Sequence, residues 1–266
     1  VAVRRVLHGL PCREHLRHAR LAADLIAIAA MLAIVFVMDL PHMHKPKQQL
    51  SQTIRIPAGQ RAQMDLPDGS IVWLNSQTTL TYDENFGKKD RKVTLDGEAY
   101  FEVAHNKEIP FYVQTENIKV QVTGTKFDVC SYKGSNSFIA RLIEGSINLL
   151  TNNAKEEKPI TSLTKGKYFS MENGKYKTGE MSSNNALAWM QGIYYFDDVP
   201  FKELLDKIAL YYNYKITVKN PKILENYRCT GKFKDLDGIE HILKVIQKDH
   251  PFKYNIDNEH NKITIE

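Results

Sequence analysis

An unbroken apolar run from Leu25 to Met38, inside the segment Leu21–Leu40 (LAADLIAIAAMLAIVFVMDL), limits what the first part of this chain can become. Charge appears in the segment only near its ends, at Asp24 and Asp39. Roughly twenty residues rising 1.5 Å each make a helix about 30 Å long, the thickness of a bilayer's hydrocarbon core. A helix apolar on every face must lie either in a protein core or in lipid. The length and composition predict a transmembrane helix over Leu21–Leu40, with a buried helix of a soluble core as the alternative. Arg4, Arg5, Arg13, Arg17 and Arg20 crowd its N-terminal side, against Lys45, Lys47 and Arg55 beyond it. This positive bias predicts a cytoplasmic N-terminus. The following residues, MDLPHMHKP, hold no small-x-small cleavage site, so the segment reads as an uncleaved anchor and not as a signal peptide. The expected division is a short basic head over residues 1–20, a span over 21–40, a linker over 41–50 and a large exported part.

The formal net charge of +5 owes much to the arginine-rich head, while the remainder mixes Lys with Asp and Glu. That pattern argues against nucleic-acid binding by the exported part and explains the basic head as an orientation signal. Cys12, Cys130 and Cys229 form no CxxC pair, and a disulfide framework is not expected. His42-Met43-His44 could hold a soft metal, but no further ligand cluster supports it, and between Pro41 and Pro46 it reads as a polar linker. No metal and no cofactor is expected.

From Ser51 to about residue 180 the pattern is β. Gln63–Leu66 and Ile71–Leu74 flank Pro67-Asp68-Gly69-Ser70, where Pro sets φ and Gly accepts a positive φ, as a hairpin requires. Arg91–Leu95 predicts a strand, with Asp96-Gly97 as a turn into a second strand over Glu98–Val103. In that second strand Ala99, Phe101 and Val103 share one face and Glu98, Tyr100 and Glu102 the other. Strands follow at Phe111–Gln114, Ile118–Val122, Lys126–Cys130, Phe138–Leu142, Ser146–Leu150 and Lys167–Met171, punctuated by Gly124, Gly134, Gly145, Gly166 and Asn173-Gly174. Short strands with regular turns predict an all-β domain of two layers over 51–180.

A different grammar begins near Met181–Asn185. Ile193–Phe196 predicts a strand and Asp197-Asp198 a helix cap. Phe201, Leu204, Leu205, Ile208, Ala209 and Tyr212 then form one helical stripe that Asn213 ends. Lys215–Lys219 is a strand. The unit recurs as a strand over Tyr227–Phe233, a helix capped by Asp237 with the stripe Ile239, Ile242, Leu243 and Ile246, a stop at His250-Pro251, and strands at Phe252–Ile256 and Lys262–Ile265. Two β-α-β units predict a small α+β domain over 186–266, in which neither unit buries its stripe alone.

Catalytic signatures are sparse. Glu98 and Glu102 lie on one strand face and invite a glycosidase reading, but i and i+4 on a strand are about 13 Å apart, wider than the paired carboxylates of such enzymes. Both are expected to be solvated. The sequence has no GxSxG, HExxH or phosphate loop. The chain is not expected to be an enzyme.

Ordered motifs then carry a resemblance. Leu66–Ser70 with Val72–Asn75, Arg91–Val103 (RKVTLDGEAYFEV), Pro110–Val113 and Val120–Val129 (VQVTGTKFDV) resemble FecR-type transmembrane anti-sigma factors. Trp189, Gly192, Phe196, Pro200-Phe201, Tyr211-Tyr212, Gly231 and Phe233 are similar to the C-terminal module of the Bacteroidetes branch, itself similar to the secretin and TonB-receptor N-terminal fold. The resemblance covers residues 51–266 and implies a single-pass protein of the inner membrane, its large part periplasmic. There it would sense, through the second domain, the signalling domain of a substrate-loaded TonB-dependent outer-membrane receptor. Its cytoplasmic head would regulate an extracytoplasmic-function sigma factor. The family usually has a longer head, so the expectation is that the true start lies further upstream, that the head is truncated or that it has decayed. Sigma-factor binding is not expected of residues 1–20 alone. Some relatives cleave themselves at a Gly-Thr bond, whose place Gly124-Thr125 takes. A tight turn between strands is the plainer reading of those two residues. The alternatives to a sigma-factor relay are a membrane-tethered periplasmic glycan-binding protein and an adaptor without sigma-factor binding. The glycan reading needs an aromatic platform, and Trp73 and Trp189 are far apart in sequence.

Overall fold

The computed structural model describes residues 12–43, 50–152, 157–181 and 184–266. They fall into two bodies, Val1–Gln49 and Leu50–Glu266. In the first, α1 (Cys12–Met43) contains the whole Leu21–Leu40 segment. Its described side chains, from Arg20 to Phe36, are exposed on every face, Leu25 and Phe36 to 67% and 69%. Among the described residues no helix is long and apolar enough to cross a membrane. Most of the basic head and of the linker, with Arg4, Arg5, His44, Lys45 and Lys47, lies outside the described residues, as do the side chains of Cys12, Arg13, Arg17, Asp39, His42 and Met43.

The second body opens with thirteen strands. They are β1 (Ser51–Arg55), β2 (Ala62–Asp65), β3 (Ile71–Leu74), β4 (Thr79–Asp83), β5 (Arg91–Glu102), β6 (Phe111–Gln114), β7 (Ile118–Val122), β8 (Lys126–Ser131), β9 (Ser137–Glu144), β10 (Ser146–Thr151), β11 (Pro159–Thr164), β12 (Lys167–Glu172) and β13 (Lys175–Glu180). One layer runs β1-β4-β5-β6-β7-β10-β11 and the other β2-β3-β5-β8-β9-β12-β13.

Strand β5 belongs to both layers. Its first half pairs with β4 and β6, its second with β3 and β8. Asp96-Gly97, expected as a turn, is instead the crossing point inside one twelve-residue strand. Gly97 has φ +133°, and a Cβ there would fall 2.4 Å from Thr78 Oγ1, so the chain passes between layers where only glycine fits. The core between the layers is apolar apart from Arg91 of β5, which lies over the Phe111 ring and pairs with Asp68 at 3.2 Å. Ala99 and Phe101 of β5, and Val103 just after it, enter the core as the alternation predicts, and Phe101 stacks on Phe127 with ring centroids 5.1 Å apart.

The later part of the chain forms a second core. A 3-10 helix, Asn184–Gln191, brings in Trp189. Then follow β14 (Ile193–Pro200), α2 (Phe201–Tyr212), β15 (Lys215–Val218), β16 (Arg228–Lys234), α3 (Gly238–Asp249), β17 (Tyr254–Asp257) and β18 (Lys262–Ile265). The leading strands of the two units pair with each other, β14 antiparallel to β16, while β15 runs parallel to β18, which is antiparallel to β17. The stripes of α2 and α3 meet in one core, so each unit covers the other's apolar face.

Both expected helix caps are corrected. Asp197 and Asp198 lie in β14, at an irregularity in its pairing with β16, and α2 begins after Pro200 with no side-chain cap. Asp237 does stand at the N-cap position of α3 as expected, and the correction there is to its side chain, which accepts the Lys234 N–H at 3.0 Å instead of an N–H of α3. Asn213 ends α2 in the left-handed conformation at φ 58°.

Candidate functional site at the seam of the two domains

The second face of β5 is where the two cores meet. Tyr100 points away from the β core and joins the second one, with Trp73 and Ile143 packed beside it. Glu98, expected as a solvated strand position, is corrected: it is only 4% exposed. Sequence alternation showed that it leaves the first core, but a second domain covers that face instead of water.

Three charged groups are packed at this seam. Arg141 Nη1 of β9 donates to Asp128 Oδ2 of β8 at 2.6 Å and lies 3.8 Å from Glu98 Oε1. The other Glu98 oxygen accepts from Asn75 Nδ2 at 2.6 Å. Burial, then the neighbouring Asp128, pushes the Glu98 carboxyl up from 4.5 to about 7, against the lowering pull of Arg141, Asn75 and Lys207. Burial raises Asp128 also, and Arg141 lowers it. For Arg141, burial works against its charge, but the two carboxylates outweigh it and its pKa moves upward. Two acids thus share one guanidinium in a dry site, and the pair holds a proton more readily than two free carboxylates would. The proton belongs to the pair of carboxyls together, since burial raises both.

The second domain covers this cluster with aromatic rings. Tyr194 and Tyr211 stack at 4.2 Å between centroids with planes 8° apart, so Tyr211 of α2 is the buried tyrosine where the stripe predicted Tyr212. The Trp189 indole N–H neighbours the Asp128 carboxylate and lowers its pKa. An open cleft of about 560 Å³ borders the cluster, walled by Arg141 and Tyr168 on one side and Tyr195, Glu203 and Lys207 on the other. Its charges are of mixed sign. Cys130, also at its edge, and Cys229 are both free thiols.

Trp73 and Trp189, distant in sequence, are brought together. They line a hollow of about 250 Å³ with Arg61 and Gln63. Trp189 is 3% exposed, however, so its ring is a packing surface and offers no stacking platform.

Gly124-Thr125 lies elsewhere in the β domain, at the turn from β7 into β8. Thr125 is 4% exposed and its hydroxyl donates to the Ser146 carbonyl at 3.0 Å. A Cβ on Gly124 would fall 2.4 Å from His105 Nδ1, and one on Gly145 would fall 2.9 Å from Thr125 Oγ1 and 3.0 Å from the Gly124 oxygen. Two glycines therefore let three segments close around this peptide bond. Among the described residues no group of three or more His, Cys, Asp or Glu side chains is placed to hold a metal ion.

Sequence reasoning missed Asp128, Arg141 and Asn75. Asp128 stands inside an apolar strand, FDV, between Phe127 and Val129, and that interruption was the available signal.

Comparison with known proteins now gives the family. Residues 52–148 match the family model described as FecR protein, and residues 193–265 the one described as FecR, C-terminal. No curated protein matches the sequence. Two crystal structures of a candidate anti-sigma factor from Parabacteroides distasonis ATCC 8503, at 2.50 Å and 1.65 Å resolution, are similar in fold. Each has a TM-score of 0.69 and 24% identity, covering 81% of this chain and 98% of the other. The chain spans both parts of the FecR architecture in order, and it belongs to the FecR family.

Proposed function

We propose that the chain is a signal relay of the inner membrane, an anti-sigma factor whose sensor half faces the periplasm. The observation that carries this reading is the order of parts: a FecR domain and a FecR C-terminal domain behind a helix whose residues 20–36 are exposed and almost wholly apolar. Residues 20–36 by themselves do not reach the length and apolarity of a span, but the sequence continues apolar through Val37-Met38, and the Leu21–Leu40 segment as a whole has the length to cross a bilayer. The arginines before it favour a cytoplasmic N-terminus. The second domain then receives the signalling domain of a TonB-dependent outer-membrane receptor, and the N-terminal region regulates an extracytoplasmic-function sigma factor. The similarity in fold to a candidate anti-sigma factor supports the same role.

Two measurements test it. Alkaline phosphatase fused after residue 50 is expected to be active and fused after residue 15 inactive; the reverse pattern contradicts the topology. Full-length protein is expected to co-purify with both a receptor signalling domain and a sigma factor. Recovery of the receptor without any sigma factor would favour an adaptor instead.

Self-cleavage at Gly124–Thr125 is a second reading, favoured by the tight packing of that bond. In it the Thr125 oxygen attacks the Gly124 carbonyl carbon, the peptide C–N bond breaks as the nitrogen gains a proton, and water hydrolyses the resulting ester. Two fragments from the native chain and one from Thr125→Ala are expected on a blot; an intact native chain ends this reading.

A further inference from the structure

The segment that follows α1 in the chain does not stop at the β domain. Strand β1 pairs with β4 alone, and four of its five residues are exposed, so it is weakly held in its sheet. The turn after it reaches the second domain directly. The Gly59 N–H donates to the Tyr211 carbonyl at 3.0 Å and to Ser76 Oγ at 2.9 Å, and Ser76 Oγ donates to the same Tyr211 carbonyl at 3.1 Å. Gln77 Nε2 donates to the Leu210 carbonyl. Both carbonyls belong to the last turn of α2; that of Leu210 also accepts the Asn213 N–H at 3.4 Å, and to that of Tyr211 the β domain supplies the donors. Two residues further on, Arg61 pairs with Asp235 of the second domain. Gly192 makes room for that pair: a Cβ there would fall 2.8 Å from Asp235 Oδ1 and 2.9 Å from Arg61 Nη2. The Asp235 carbonyl in turn accepts from the Tyr212 hydroxyl at 3.0 Å.

We infer that β1 and the turn Ile56–Arg61 form a strap by which the second domain controls the segment leading back to α1. With α2 seated, Gly59 and Arg61 hold the strap, and Ile56 stays buried with its N–H on the Thr78 carbonyl at 2.8 Å. When the end of α2 moves, the strap loses its far anchorage, and its pairing with β4 and its short bonds to Thr78 and Ser76 are what keep it in the sheet. This inference rests on the reading of the chain as a relay, since it supplies the step from the sensing domain to the span.

Hydrogen exchange on the full chain in detergent micelles tests it. The Ser76→Ala/Gln77→Ala variant is expected to speed exchange in residues 51–56 about fivefold or more, while residues 239–246 keep their protection. Arg61→Gln is expected to act in the same direction, and it leaves both apolar cores untouched. Leu243→Ala, which loosens the second domain from within its core, is expected to speed exchange in 51–56 along with α2 and α3. Unchanged exchange in 51–56 in the two seam variants, or faster exchange in α2 and α3 of Leu243→Ala with 51–56 unmoved, would overturn the strap. No receptor or sigma factor is in the sample, so this outcome is separate from that of co-purification: either reading can fail alone.

Discussion

The two sides of strand β5 make opposite kinds of contact. Phe101 and its neighbours enter a dry apolar core, where shape and area decide the energy. Glu98 and Tyr100, three and one positions before Phe101 on the same strand, face a seam of two carboxylates, one guanidinium and stacked aromatic rings. An apolar core tolerates displacement poorly but depends little on solution conditions. A seam built on shared charge is weaker and answers to protons and to the loss of a single partner. The contrast teaches where two domains packed in this way have room to move: along the seam, while the β core stays intact.

The largest expected effect breaks the apolar side. Phe101→Ala leaves a hole against Phe127 and Phe111 and should cost about 4 kcal/mol in chemical denaturation of the full chain. On the other side, Arg141→Met strands two buried carboxylates and should cost about 3 kcal/mol; the double variant with Asp128→Asn should recover a large part of it. A loss as large in the double variant as in Arg141→Met would show that Arg141 acts by packing alone.

The acid dependence sharpens the contrast further. Glu98 has a folded pKa of about 7 against 4.5 for the unfolded group, so between those values the native chain holds more protons than the unfolded one. Stability therefore falls as pH rises from about 4.5 to 7 and levels off above. The span is at most about 3 kcal/mol by the usual conversion, and Asp128, raised also, adds in the same direction. Urea midpoints at pH 5 and pH 8 should separate by less in Glu98→Gln than in the native chain. Phe101→Ala, by contrast, should keep the native difference. The smallest effect is that of Ser76→Ala, which removes one donor from the end of α2 and should cost about 1 kcal/mol by the same measurement.

Much of this arrangement was legible in the residues. Period two in Ala99, Phe101 and Val103 gave the core face of β5, and period 3.6 gave both helices of the second domain. The end of α2 at Asn213 followed from that residue's tolerance of left-handed backbone. What failed did so where a distant segment overrides a local signal. Asp96-Gly97 has turn chemistry, yet Thr78 lies so close that glycine serves the crossing between layers instead. Asp197 and Asp198 have cap chemistry, yet β14 runs on past them to Pro200 beside β16. Glu98 has the look of a solvated residue, and only the second domain's seat, fixed by residues more than ninety positions later, makes it buried. The strap was invisible for the same reason: Gly59 and Arg61 meet partners over 150 residues away.

Both tryptophans of the chain, Trp73 and Trp189, pack in the second core where it meets β5, so fluorescence reports the seam while far-ultraviolet dichroism reports the whole fold. Equilibrium unfolding of the full chain in detergent, followed by both signals, tests most directly whether the β domain and the second domain are coupled. Coincident transitions in the native chain that separate in Ser76→Ala/Gln77→Ala, the fluorescence change coming first, are the predicted result. Transitions already separate in the native chain, or coincident in both proteins, would contradict a seam that couples the second domain to the strand leading back to α1.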